Sequence, residues 1–208
     1  MNEGRRTKVN LPLARPGPCT STSSVARAVT DALQPRNVLV VGMLGIGALA
    51  GGLAGLAWGL LGALCAGVVP AAYIEFERKR GTWGDRHVVD RTKRAPIFLV
   101  ILASVGTGAL LMTLGHAPSD VIRAMVALWV MTVVLLSVNT VWKISVDSAV
   151  ASAVVALLAV VHSPWWLAGY AATMVVCWSR VALRYHTVLQ TAAGATLGAL
   201  TTAAWIGA

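Results

Sequence analysis

Apolar residues form long runs along the chain, and charged residues are confined to the intervals between them. Because a membrane-spanning helix needs about 20 predominantly apolar residues, each run predicts at least one span. The first run is long enough for two spans, with a turn in the Gly51–Gly52 and Gly55 cluster, and His162-Ser163-Pro164 divides the fourth run. The pattern therefore predicts seven spans in an all-α, polytopic membrane helix bundle of about six to seven transmembrane helices. The runs without Asp, Glu, Lys or Arg are residues 37–74, 95–119, 124–142, 148–179 and 187–208.

The first 36 residues differ from the rest of the chain because they are rich in Arg, Pro, Ser and Thr. Such a composition is typical of a largely disordered tail. Within it, Val25 and Val29 share one face of a possible short amphipathic helix, which Ser23 or Ser24 would cap and which would lie on the membrane surface. We expect a cytosolic tail, residues 1–36, followed by a membrane-embedded domain, residues 37–208.

The basic residues of the chain are distributed asymmetrically. Of the 17 Lys and Arg residues, 16 fall in the tail, in the loops after the second, fourth and sixth spans, or at the span ends beside them; only Arg123 lies opposite. The positive-inside rule makes that side cytosolic. The net charge of +9 thus reflects membrane topology, and we expect the bilayer, and no nucleic acid, as a partner. The pattern is compatible with a monomer or an oligomer.

The stretch 179–190 carries the most distinctive chemistry. It places Arg180, Arg184 and His186 between two apolar spans, and ionisable groups beside a bilayer indicate function. Arginine holds phosphate oxygens two at a time, and histidine can act as a nucleophile or proton carrier near neutral pH. This stretch predicts a phosphate site on the cytosolic side.

Ser179-Arg180 followed by His186, with Thr187, Gln190 and Gly194 beyond it, resembles the third signature of the type-2 phosphatidic acid phosphatase superfamily, Ser-Arg-x5-His-x3-Asp. The other two signatures of this superfamily read Lys-x6-Arg-Pro and Pro-Ser-Gly-His. All three lie in loops on one face of a bundle of about six helices. The resemblance covers roughly residues 37–208 and implies a lipid phosphate phosphatase fold.

The resemblance implies roles for individual residues. His186 would be the nucleophile that takes up the phosphoryl group, and Arg180 would bind its oxygens. In the second polar stretch, Trp142 to Asp147, Ser145 matches the serine of the second signature, and Asp147 stands where the family has the histidine that protonates the leaving alkoxide. Lys143 is a further candidate phosphate ligand in this stretch. The segment 86–96 stands in for the first signature, and its candidate phosphate ligands are Arg86, Arg91, Lys93 and Arg94.

The chain departs from the family pattern at Gln190 and Asp147. Gln190 replaces the aspartate that orients the nucleophilic histidine; its carbonyl can accept the imidazole proton but supplies no charge. Asp147 replaces a histidine. These changes favour a second hypothesis, in which Asp85, Asp90 and Asp147 bind Mg²⁺ and a prenyl diphosphate is ionised and cyclised. The carbocation would then face aromatic rings, for which the candidates are Trp142, Trp165, Trp166, Trp178 and Tyr185.

The leading hypothesis is an integral membrane enzyme that hydrolyses a lipid or isoprenoid (di)phosphate at the cytosolic face. It needs no cofactor. The alternative is a terpene-synthase-like lyase that requires Mg²⁺. A third hypothesis is a catalytically inactive relative that only binds lipid phosphates.

Overall fold

The computed structural model describes residues 21–80 and 95–206, and within them the chain is helical apart from turns. A π-helical turn, Leu64–Val68, joins two α-helices directly, and a 3-10 helix, Pro164–Gly169, leads directly into an α-helix. The eight α-helices are α1 (Ser21–Ala32), α2 (Pro35–Ala63), α3 (Val69–Lys79), α4 (Ala95–Leu114), α5 (Ser119–Val141), α6 (Val146–Val161), α7 (Tyr170–Ala182) and α8 (Val188–Ile206).

Helix α2 is folded back on itself at two glycines. Gly51 and Gly52 leave helical geometry, and Gly52 adopts φ 57° with ψ −132°, a conformation that only glycine adopts readily. The two arms then pack so closely that a Cβ on Gly47 would overlap the carbonyl oxygen of Gly55. Small residues permit this backbone approach between helices in a membrane. The turn that the sequence predicts at Gly51–Gly52 is confirmed.

The second arm continues through the π-helical turn into α3, and Pro70 explains this turn. Proline has no backbone N–H, so a carbonyl in the preceding turn loses its helical donor. The carbonyl of Cys65, five residues earlier, instead accepts a hydrogen bond of 2.6 Å from the Ser104 hydroxyl of α4. Helix α3 then extends to Lys79. Near its end, Glu75 forms an ion pair of 2.6 Å with Arg78. The first charge-free run ends at residue 74, but the helix continues past it, so the polar stretch that follows is helical up to Lys79.

The described helices define an integral membrane protein. Three helical stretches are long and apolar enough to cross a bilayer, Pro35–Lys79, Pro96–Leu114 and Ser119–Val141, and Val146–Val161 is a shorter apolar helix. Large apolar side chains also point away from the protein on several helices: Leu53 is 88% exposed and Met174 72%. Such a surface is suited to lipid. The number of seven spans stays a prediction.

Glycines also set the distance between α6 and α8. A Cβ on Gly194 would overlap the carbonyl oxygen of Ser145, and a Cβ on Gly198 would overlap that of Ala149. The Ser152 hydroxyl donates a 2.6 Å hydrogen bond to the Ala195 carbonyl across the same interface. The N-terminal halves of the two helices are therefore in backbone contact, at the end of the bundle that carries the candidate site.

Replacing Gly198 by Ala is expected to destabilise the protein by about 1–3 kcal/mol, because the new methyl group meets a backbone oxygen that cannot move aside without separating the helices. Thermal unfolding of the detergent-purified protein measures the change. Gly45→Ala is the matched control: a Cβ there meets nothing within 4 Å, so helix propensity should leave it as stable as the wild type or slightly more stable. Equal unfolding temperatures for the two variants would contradict the close α6–α8 contact.

Candidate functional site

The second polar stretch forms the turn between α5 and α6. Ser145 is the N-cap of α6, where its extended backbone (φ −85°, ψ 105°) lets its hydroxyl accept a hydrogen bond from the Ser148 N–H at 3.4 Å. Asp147 follows in the first helical turn, where the helix dipole stabilises a carboxylate. Local capping thus holds both predicted residues of this stretch at one helix end.

The third stretch begins at the end of α7. The N–H of Tyr185 donates to the carbonyl of Arg180 at 3.0 Å, and the N–H of Arg184 donates to that of Val181 at 2.9 Å. These two bonds form a Schellman motif with Arg184 at its left-handed position, φ 57°, where glycine is usual. The His186 N–H also donates to the Arg180 carbonyl, at 3.3 Å. The five residues between Arg180 and His186 therefore span the end of α7 and this turn.

Helix α8 begins with a capping box. The Thr187 hydroxyl accepts from the Gln190 N–H at 3.3 Å, and Gln190 Oε1 accepts from the Thr187 N–H at 3.1 Å, which is the reciprocal pattern expected of Thr-x-x-Gln. The same Oε1 lies 3.3 Å from His186 Nδ1.

This geometry favours one tautomer of His186. Because a backbone N–H points at the Gln190 side-chain atom, that atom is the carbonyl oxygen, which can only accept. A hydrogen bond with His186 at this position requires the proton on Nδ1. In that tautomer the lone pair of the imidazole is on Nε2, the atom that a nucleophilic role requires.

Three contacts join the two polar stretches. Lys143 Nζ donates to the Tyr185 carbonyl at 2.9 Å, and the Ser145 N–H donates to the Gln190 carbonyl at 3.3 Å. The third is an ion pair of 2.9 Å between Arg180 Nη2 and Asp147 Oδ1. Segments about 40 residues apart in sequence thereby meet at one end of α6, α7 and α8.

Arg180 is the most buried ionisable group of this site. Its side chain is 9% exposed and that of Asp147 is 18% exposed. The ion pair between Arg180 and Asp147 joins two residues that the sequence analysis treats as separate site candidates. Within the described residues, the Arg180 Nε has no hydrogen-bond partner although it is buried. One donor of the guanidinium is therefore unsatisfied in this arrangement.

Helix α1 contributes a contact that sequence reasoning missed. It packs on α7 with Ala26 fully buried, and its Thr30 hydroxyl donates to the Ser179 hydroxyl at 3.2 Å, beside Arg180. Asn37 of α2 caps the C-terminal end of α1, close to Thr30, by donating to the Ala32 carbonyl at 3.0 Å. Ser23 and Ser24 lie inside α1, so neither caps it, and the helix docks on the protein rather than lying only on the membrane surface. The sequence signal for this contact was that α1 belongs to the tail, which is predicted to lie on the same side of the membrane as the site.

Other predicted residues are placed differently. Arg184 is exposed in the turn after α7, and within the described residues it forms no ion pair. Trp165 and Trp166 lie in the 3-10 helix before α7, at the opposite end of that helix from Arg180, about 20 Å away at 1.5 Å per residue. They cannot line a cavity next to the phosphate site, because one helix length separates them from it. The first-signature candidates Arg86, Arg91, Lys93 and Arg94 lie outside the described residues.

The predicted metal ligands are mostly outside the described residues as well, namely Asp85 and Asp90. No group of three His, Cys, Asp or Glu side chains within 21–80 and 95–206 could hold a metal ion. Asp147 has one carboxylate oxygen on Arg180, so Mg²⁺ would have to use its second oxygen or compete with the guanidinium.

No protein-family model, curated protein or solved structure matches this chain.

Proposed function

We propose that this protein is a membrane enzyme that hydrolyses a lipid or isoprenoid phosphate at the cytosolic face of the bilayer. The observation that supports this most is the convergence of the turn before α6 with the segment between α7 and α8. It places two cations, a carboxylate and a histidine at one end of three packed helices. That combination suits a phosphate monoester or diphosphate, which needs fixed positive charge and a nucleophile or proton carrier.

The chemistry follows from the placement of these groups. His186 Nε2 attacks phosphorus, forming a P–N bond as the P–O bond to the alcohol or phosphate leaving group breaks. Asp147 gives the leaving oxygen its proton. Water then attacks phosphorus and breaks the P–N bond; its proton returns to Asp147, and orthophosphate leaves. Arg180 and Lys143 neutralise the oxygens of the transferred group throughout.

The surroundings of the site fit a lipid substrate. The basic end of the bundle, with Lys143, Arg180 and Arg184, would face the headgroup region of the cytosolic leaflet, whose anionic lipids attract such residues. Seven spans complete this arrangement, because they bring the tail and the three basic loops to one side. The apolar chain of the substrate would remain in the bilayer beside the outward-facing apolar helices.

The test is an assay of the detergent-purified full chain with phosphatidic acid, farnesyl diphosphate and geranylgeranyl diphosphate, in Mg²⁺ and in EDTA. We expect orthophosphate release that persists in EDTA. Inorganic diphosphate together with a cyclised hydrocarbon or alcohol, formed only with Mg²⁺, would establish the lyase instead. Retention of lipid phosphates without any product would leave only a binding role.

The same assay in sealed vesicles tests the orientation. A short-chain, water-soluble phosphate ester that cannot cross the bilayer should be hydrolysed by inside-out vesicles and spared by right-side-out ones. The reverse result would place the site on the other face.

A further inference from the structure

We propose that Asp147 is a resident counter-ion for Arg180 that the phosphate of the substrate displaces. This inference rests on the proposed function, because it concerns the same site, but it makes a separate claim: carboxylate and phosphate compete for one guanidinium. Without phosphate, Arg180 and Asp147 would thus remain ion-paired, and phosphate binding would break this ion pair.

The hydrogen bonding of Arg180 supports this exchange. Asp147 Oδ1 contacts Nη2 at 2.9 Å, while Nε has no partner in the described part of the chain. The N–H groups of Nε and Nη2 lie on the same edge of the guanidinium, spaced to meet two oxygens of one anion. Asp147 takes only one of them. A buried N–H without a partner is uncommon, and a tetrahedral oxyanion on this edge would satisfy both donors.

Asp147 and Arg180 would each remain stabilised after phosphate replaces Asp147 on the guanidinium. Asp147 stands in the first turn of α6, where the helix dipole favours a carboxylate without help from Arg180, and its side chain is partly exposed to solvent. Arg180 is more than nine-tenths buried, so its charge requires an anion at all times. Asp147 supplies that anion when no phosphate is present.

The exchange also links binding to the chemistry. Once phosphate holds Arg180, the released carboxylate lies beside a negatively charged group, and like charges favour its protonated form. In that form Asp147 can donate to the leaving oxygen. After hydrolysis, Asp147 gives that proton to solvent, and the return of its carboxylate to Arg180 would expel orthophosphate.

The experiment measures binding of inorganic phosphate to the detergent-purified full chain by titration calorimetry and by the phosphate-dependent rise in unfolding temperature. We expect Asp147→Asn to bind phosphate about tenfold more tightly than the wild type or better, because the competing charge is gone. Without phosphate the variant should unfold at a lower temperature, and phosphate should raise that temperature more than in the wild type. Arg180→Gln should abolish the binding.

Asp120→Asn is the matched control, since Asp120 is also a carboxylate in the first turn of a helix, α5, but lies at the other end of the bundle. It should bind phosphate like the wild type. Asp147→Ser also removes the charge, leaves the Ser145 cap of α6 in place, and is the second variant if Asp147→Asn does not fold. The same gain in phosphate affinity is expected for it.

Equal or weaker phosphate affinity in Asp147→Asn or Asp147→Ser would overturn the exchange, and so would the absence of saturable phosphate binding in wild type and variants alike. These outcomes are separable from the proposed function. Orthophosphate release by a wild type that shows no competition would overturn only the exchange. Tighter binding by Asp147→Asn with no hydrolysis by the wild type would overturn only the hydrolase.

Discussion

His186→Ala is expected to lower the release of orthophosphate from a lipid or prenyl phosphate by at least about 10³-fold, because covalent catalysis cannot proceed without the nucleophile. Nδ1 of His186 lies 3.3 Å from Gln190 Oε1, so in the proposed mechanism Nε2 would carry the lone pair that attacks phosphorus. Alanine removes both nitrogens and leaves the turn after α7 intact, since the backbone bonds to the Arg180 carbonyl do not involve the imidazole. Initial rates at saturating substrate, with unfolding temperature measured in parallel, give the effect.

His162→Ala is the control for this variant. His162 is exposed at the C-terminal end of α6, one helix length from the site, and its removal should leave the rate unchanged. If His186→Ala keeps its rate while Asp147→Asn loses a Mg²⁺-dependent release of diphosphate, the hydrolase mechanism is wrong and the lyase takes its place.

Gln190→Glu is expected to raise the rate of hydrolysis, by about 10²-fold or more. Glutamate has the same shape as glutamine and preserves the capping box, because Thr-x-x-Glu caps a helix as Thr-x-x-Gln does. Its carboxylate would accept the His186 Nδ1 proton at the position that the amide oxygen occupies and would stabilise the imidazolium by charge. In the serine-protease triad, an aspartate in this role stabilises the imidazolium that forms during the reaction.

The rate of Gln190→Glu should be compared with that of Gln34→Glu. Gln34 is the N-cap of α2 and makes no side-chain capping bond, so the same chemical change there should leave hydrolysis unaffected. A rise that depends on His186, and disappears in the double variant His186→Ala with Gln190→Glu, would identify the imidazole as the group that the new charge assists. An unchanged or lower rate in Gln190→Glu would contradict the orienting role of this side chain.

If the proposed hydrolase activity holds, the two variants would describe an enzyme that works below the rate its architecture permits. Gln190 Oε1 accepts a hydrogen bond from the Thr187 N–H and also contacts the His186 imidazole. It thereby caps α8 and orients His186 without adding charge. In the same site, Asp147 forms an ion pair of 2.9 Å with Arg180.

The sequence by itself determined the helical class, the turn of α2 and the local structure of the site. Charge-free runs predict where helices lie because a bilayer excludes charge along a whole span. The ends of α5, α6 and α8 fall within a few residues of the predicted ones. The turn at Gly51–Gly52 could be predicted because it is made by residues close in sequence. The capping box from Thr187 to Gln190 is equally local, but the sequence analysis did not predict it.

The tertiary structure alone decided which groups meet. It paired Asp147 with Arg180, placed α1 against Ser179, and put Trp165 and Trp166 at the far end of α7. These contacts depend on how closely whole helices approach one another. The distance between α6 and α8 is set at Gly194 and Gly198, where α8 touches the backbone of α6. The hydrophobic pattern of one segment does not show which distant segment that segment will contact.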